Sequence, residues 1–283
     1  MSLASSAVLV ELNIAAWSGR KLDRKVTAEV TVGKSANRDA ARVNKNLFAG
    51  SDRLAEINNF ASSARSEYYD MTLPWSSSGT RLLPFKQIFD FRSWAGQKER
   101  EYSTMVNTFL QEYSTLISAQ AFRLGTMFDA KEYPSADELA HKFRFNTMII
   151  PMPEAGDFRI DAEAALKAEL EAQYAEAYET RTKEAMQDLW NRLYETVSHL
   201  RDKCAMDKTI FRESTLENAL ELCGILTRLN VTDDMDLEAR RKELERALCS
   251  TSTEELRADA GARSETKAKM DEIMNRMKGV GLC

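Results

Sequence analysis

The sequence predicts a mainly α protein with an α+β element: long antiparallel helices with a small sheet of about three strands. Three observations predict it. Residues 160–206 contain no proline or glycine and are rich in Ala, Glu, Leu, Lys and Arg, the residues that lose least on entering a helix. The apolar positions of that stretch, Leu166, Leu170, Tyr174, Tyr178, Ala185, Leu189, Leu193, Val197, Leu200 and Cys204, mostly recur at steps of three or four, as one buried helical stripe requires. Residues 7–17 and 143–150, by contrast, are β-branched or aromatic over lengths that suit strands.

At 283 residues the chain is long for one small core. Two parts are expected: an α+β lobe over 1–160 with the small sheet and helices, and a long helical arm with C-terminal helices over 161–283. Hydrophobic residues at 43% and charged residues at 29% are ordinary for a globular chain, and no segment approaches the apolar run of a membrane span. Residues 1–17 have no basic lead and are interrupted by Glu11 and Asn13, so no secretory signal is expected. Cys204, Cys223, Cys249 and Cys283 lie far apart with no CxxC or Cys/His spacing, which argues for a reducing, cytoplasmic setting and against structural zinc.

Taken in order, residues 7–17 read as a buried strand ended by Gly19. Residues 20–45 follow as the most basic stretch. There Arg20, Lys21, Arg24, Lys25, Lys34, Arg38, Arg42 and Lys45 face only Asp23, Glu29 and Asp39. Clustered Lys and Arg are the electrostatic footprint of phosphate binding, while the absence of interleaved aromatics favours a solvated helix face. Within this stretch, residues 28–35 end in Gly33-Lys34-Ser35 and satisfy a permissive phosphate-loop pattern. Its interior is Glu29, Val30, Thr31 and Val32, without the glycines that let backbone N–H groups wrap a phosphate, so a turn is expected instead.

A helix is expected over 39–69 with Gly50 as its weak spot, then a loop over 73–84, where Pro74, Pro84, Gly79 and three serines surround Trp75, Leu82 and Leu83. Residues 86–94 and 97–128 read as a short and a long amphipathic helix. Ser135 and Glu138 form a capping-box pattern before a short helix, residues 143–150 a strand, and 158–160 a return strand. Residues 210–229 and 237–248 read as two helices, with Thr232, Asp233 and Asp234 at the start of the second as caps rather than metal ligands. Residues 253–278 are polar, with Met270, Ile273, Met274 and Met277 as a thin apolar edge expected to meet a partner or fray.

His141 and His199 are the only histidines, and no nucleophile elbow, HExxH or dinucleotide fingerprint occurs, so no catalytic, cofactor-binding or metal-binding residue is singled out. The segment order is similar to that of a family of uncharacterised tailed-bacteriophage proteins. The residues that carry the likeness are Trp17-Ser18-Gly19-Arg20-Lys21-Leu22-Asp23, Leu73-Pro74-Trp75, Leu82-Leu83-Pro84, Phe143-Arg144-Phe145, Pro151-Met152-Pro153 and Gly156-Asp157-Phe158-Arg159. This resemblance covers about the first 160 residues. It implies the cytoplasm of an infected bacterium and, since family members are sometimes encoded beside AAA+ ATPases of the MoxR type, an adaptor or substrate of such a machine. The expectation is therefore a non-enzymatic helical scaffold that docks a protein partner or self-associates through its long helix, with no membrane, cofactor or small-molecule substrate. The alternative is a nucleic-acid-binding protein of phage replication or recombination that uses Arg20, Lys21, Arg24, Lys25, Lys34, Arg38 and Arg42. An enzyme with an unrecognised site ranks third.

Overall fold

A computed structural model describes residues 3–153, 164–206 and 211–278. The expected return strand at 158–160 and the terminal Cys283 lie outside them. In chain order the elements are α1 (Leu3–Ser6), β1 (Ala7–Ala15), β2 (Arg20–Leu22), α2 (Arg24–Gly33), β3 (Asn44–Asn46), α3 (Asp52–Met71), β4 (Leu73–Pro74), β5 (Arg81–Pro84), α4 (Ile88–Leu124), α5 (Ala136–Ala140), β6 (Arg144–Pro151), α6 (Ala164–Ala205), α7 (Glu213–Leu229), α8 (Met235–Cys249), α9 (Thr253–Ala258) and α10 (Ala260–Lys278). The protein is mainly α with a small sheet of order β4-β5-β1-β6 and a separate β2-β3 ribbon.

The chain forms two compact units interleaved along its length. The first comprises Met1–Glu11, Tyr68–Phe91 and Met148–Cys283; the second comprises Leu12–Glu67 and Arg92–Thr147. In the first unit, β1 pairs antiparallel with β5, Ala7 opposite Pro84 and Val10 opposite Arg81. Residues 73–84 are thus a hairpin rather than the expected loop: Ser76 N–H donates to Thr80 O at 3.1 Å, and Gly79 turns at φ +100°. Both prolines sit at strand ends, where a missing N–H does least harm to the ladder. Leu82 and Leu83 are fully buried.

The long helix extends as expected through Ala205, and its lower half is sealed. Ala185, Leu189, Trp190, Leu193, Val197, Leu200 and Cys204 are buried in one core with residues of α7, α8 and α10. The anticipated fraying edge of the C-terminal helix is core instead, since Met270, Ile273, Met274 and Met277 are all buried there. Unbranched methionines fill an irregular interhelical gap at little conformational cost, which is why a sparse pattern suffices. Asp234 caps α8, its Oδ1 accepting the N–H groups of Asp236 and Leu237 at 2.9 and 3.0 Å, while its Oδ2 accepts the Trp190 indole N–H at 3.0 Å. Arg192 ties α6 to the end of α3: its guanidinium donates to the carbonyls of Tyr69 at 2.9 Å and Thr72 at 3.0 Å, which the helix leaves without partners.

The second unit is built round aromatics. Phe48 meets Trp17, Phe109 and Tyr133 edge-on at 5.6–5.7 Å between centroids. Buried hydroxyls anchor to backbone: Tyr133 to Leu47 O at 2.8 Å and Tyr102 to Ala15 O at 2.5 Å. The helix expected from residue 39 starts only at Asp52, because Gly50 adopts φ +67° and a Cβ there would stand 2.5 Å from Arg123 Nη1. Conversely, the two helices expected at 86–94 and 97–128 are one, running through Gly96. The roughly 1 kcal/mol that a helical glycine costs is offset by buried Tyr102, Val106 and Phe109 beyond it. The Ser135–Glu138 capping box forms as the sequence indicates.

Candidate interaction surfaces

The basic stretch folds so that its charges diverge. β2 pairs with β3 in the register Arg20↔Asn46, Lys21↔Lys45, Leu22↔Asn44. Successive residues of a strand face opposite ways. Arg20 and Asn46 accordingly line one cavity of about 360 Å³. Lys21 and Lys45 line another, of about 840 Å³, together with Arg24 and Lys25. Lys34 caps the far end of α2, and Arg38 and Arg42 are exposed in the segment that follows it.

Lys45 is not available to a partner. Its side chain is only 4% exposed, with Nζ 2.5 Å from Glu132 Oε2, 3.9 Å from Asp23 Oδ2 and donating to Met127 O at 2.6 Å. Two like charges set directly opposite on a ribbon repel; turning Lys45 inward to two carboxylates while Lys21 stays in solvent relieves this. Asp23 is engaged twice, since its Oδ1 also accepts the N–H groups of Lys25 and Val26 at 3.1 Å as the N-cap of α2. The larger cavity is balanced in formal charge: Lys21, Arg24, Lys25 and Lys45 against Asp23, Glu29, Asp129 and Glu132. Among the described residues, none of Arg20, Lys21, Arg24, Lys25, Lys34, Arg38 and Arg42 joins an ion pair.

The phosphate-loop look-alike is the C-terminal part of α2, with Lys34 as its C-cap and Ser35 at φ +50°. A helix C-terminus presents carbonyls and the negative end of the dipole, the reverse of what a phosphate needs. His141 and His199 are both exposed. Among the described residues no three His, Cys, Asp or Glu side chains stand together as a metal site, and no helix is long and apolar enough to cross a membrane.

A different surface lies on the upper half of α6. Leu166 is 49% exposed, whereas Leu170, Tyr174 and Tyr178 are half-buried, so this part of the expected buried stripe is only partly covered. Four-residue steps advance 400°, so these side chains fan across about 120° of the circumference. Tyr178 meets Trp75 edge-on at 5.6 Å, and the Tyr174 hydroxyl donates to Pro153 O at 2.8 Å. Beside them a groove of about 730 Å³ separates the hairpin turn at Trp75, Ser76 and Ser77 from Glu176, Arg181 and Glu184 of the helix. Apolar spacing alone does not separate the partly covered half of the stripe from the sealed half, because steps of three or four run through both.

No protein-family model, curated protein or solved structure matches the chain.

Proposed function

We propose that this chain is a non-enzymatic helical interaction protein that docks a protein partner along the upper half of α6. The observation that carries the reading is exposed Leu166 at the head of the half-buried apolar series Leu170–Tyr174–Tyr178, on a helix whose lower half is anchored in a core of several helices. A rigidly held helix offers a preorganised surface, which lowers the entropic cost of association. The resemblance to tailed-phage proteins supplies a setting for this reading, the bacterial cytoplasm, and a candidate partner, an AAA+ ATPase of the MoxR type. A library of helical peptides selected against the protein tests it, with the double variant Leu166→Glu, Leu170→Glu as counter-target. Enrichment of peptides that bind the wild type and not the variant is expected. Enrichment of none, or only of peptides indifferent to the variant, would overturn the reading.

One observation favours a second reading, nucleic-acid binding: the seven exposed cations named above have no ion-pair partner among the described residues. Under that reading, affinity for DNA or RNA falls steeply with salt. The triple variant Lys21→Glu, Arg24→Glu, Lys25→Glu then reduces both affinity and salt slope. A flat salt response in the wild type removes this alternative.

A further inference from the structure

The cavity of about 840 Å³ at the start of α2 lies wholly within the second unit, and one buried lysine holds its two walls in place. Lys45, from β3, donates to Met127 O at 2.6 Å and stands 2.5 Å from Glu132 Oε2, both in the segment after α4. It also stands 3.9 Å from Asp23, the N-cap of α2. The ribbon and that segment are thereby fixed on either side of a space of the size that small organic ligands occupy, about 300–1,000 Å³. The same strap sorts the charges of the lining. Asp23 and Glu132, whose side chains are 12% and 17% exposed, are turned to Lys45, and Asp129 Oδ1 accepts the Lys131 N–H at 2.9 Å. Lys21, Arg24 and Lys25 are exposed and form no ion pair among the described residues. The formal balance of the lining therefore conceals three unengaged cations against one unengaged carboxylate, Glu29.

Apolar side chains complete the lining from both walls. Val26 of α2 is half-buried; across the cavity Met127 is 37% exposed and Phe128 half-buried. A ligand there meets apolar surface and positive charge together. We propose that this cavity binds an organic phosphate monoester with an apolar body, its phosphate held by Lys21, Arg24 and Lys25 and its carbon body between Val26 and Met127. A phosphate offers several oxygens to cations on flexible stems, and its charge of about −2 near neutral pH matches three cations less Glu29. Lys45 is a positioning residue that touches no ligand. The site is independent of docking at α6, and it competes with the nucleic-acid reading because it uses three of the same cations.

The test titrates naphthyl phosphate with the full-length protein, followed by fluorescence anisotropy, with inorganic phosphate and naphthol as competitors that each carry one part of the chemistry. Saturable single-site binding of naphthyl phosphate is expected, with each competitor about tenfold weaker or more. The double variant Arg24→Gln, Lys25→Gln should lower the affinity about tenfold and Met127→Ser about threefold, while Glu29→Gln should raise it about threefold. All four positions are exposed, so thermal midpoints should match the wild type and separate a lost site from a lost fold. No saturable binding, or binding that the charge variants leave unchanged, overturns the site. Naphthol binding as tightly as its phosphate overturns the charge assignment, and inorganic phosphate binding as tightly overturns the apolar one. A single-stranded oligonucleotide that binds more tightly than naphthyl phosphate and ignores Met127→Ser assigns the three cations to nucleic acid and overturns the proposal.

Discussion

The two halves of α6 share one helix and an apolar periodicity of three or four residues, yet one is interior and the other only partly covered. From Ala185 to Cys204 every stripe residue is sealed by neighbouring helices; from Leu166 to Tyr178 coverage is partial, with Leu166 49% exposed, Tyr178 packed on Trp75 and the Tyr174 hydroxyl donating to the carbonyl of Pro153. Periodicity identifies which side of a helix is apolar, whereas coverage depends on how many neighbours reach that height. An apolar face is therefore a necessary sign of burial and an insufficient one.

The largest expected contrast is in stability. Leu193→Ala should cost ~2–5 kcal/mol, because it opens a cavity among helices that cannot collapse freely. Leu166→Ala should stay within about 0.5 kcal/mol. Urea denaturation of the two variants reads the difference, and similar midpoints would erase the distinction between the halves. Next in size is Trp190→Phe, which removes the donor to Asp234 Oδ2 and should cost about 1–3 kcal/mol, with Asp234 still capping α8 through Oδ1. A neutral result would mean that this contact contributes little to sealing the lower half.

Thiol chemistry sharpens the same contrast. Burial pushes the Cys204 thiol up from its ordinary value and that of Cys223 up to about 11, so both stay protonated near pH 8, whereas Cys249 is exposed. Only the thiolate alkylates. Peptide mapping after iodoacetamide at that pH should find Cys249 modified well before Cys204 and Cys223, and early modification of Cys204 would show that the lower half opens. The smallest effect belongs to Tyr174→Phe. It loses the hydrogen bond to Pro153 O and should change stability by no more than about 0.5 kcal/mol, read from the shift in thermal midpoint.

What was legible in the sequence was local. The Ser135–Glu138 box, the Asp234 cap and the continuity of α6 each depend on residues within one or two turns, and all three are present. What was missed depends on residues distant in sequence. The β4-β5 hairpin lacks alternation and is stabilised by pairing with β1, more than 70 positions away. The late start of α3 follows from a glycine whose left-handed turn is crowded by Arg123. The basic stretch looked uniform because sequence spacing does not tell which carboxylates a lysine will meet; Lys21 and Lys45 are register partners on one face of the ribbon, and Lys45 is buried against Asp23 and Glu132 while Lys21 stays exposed.

The inward turn of Lys45 also bears on behaviour in concentrated electrolyte. Mobile ions weaken charge pairs that water can reach, such as Arg53 with Glu112, and scarcely touch a pair from which they are excluded. The strap that joins the β2-β3 ribbon to the segment after α4 should thus hold in brine that loosens the outer charges, leaving the second unit's tertiary signature intact where its surface attractions have faded.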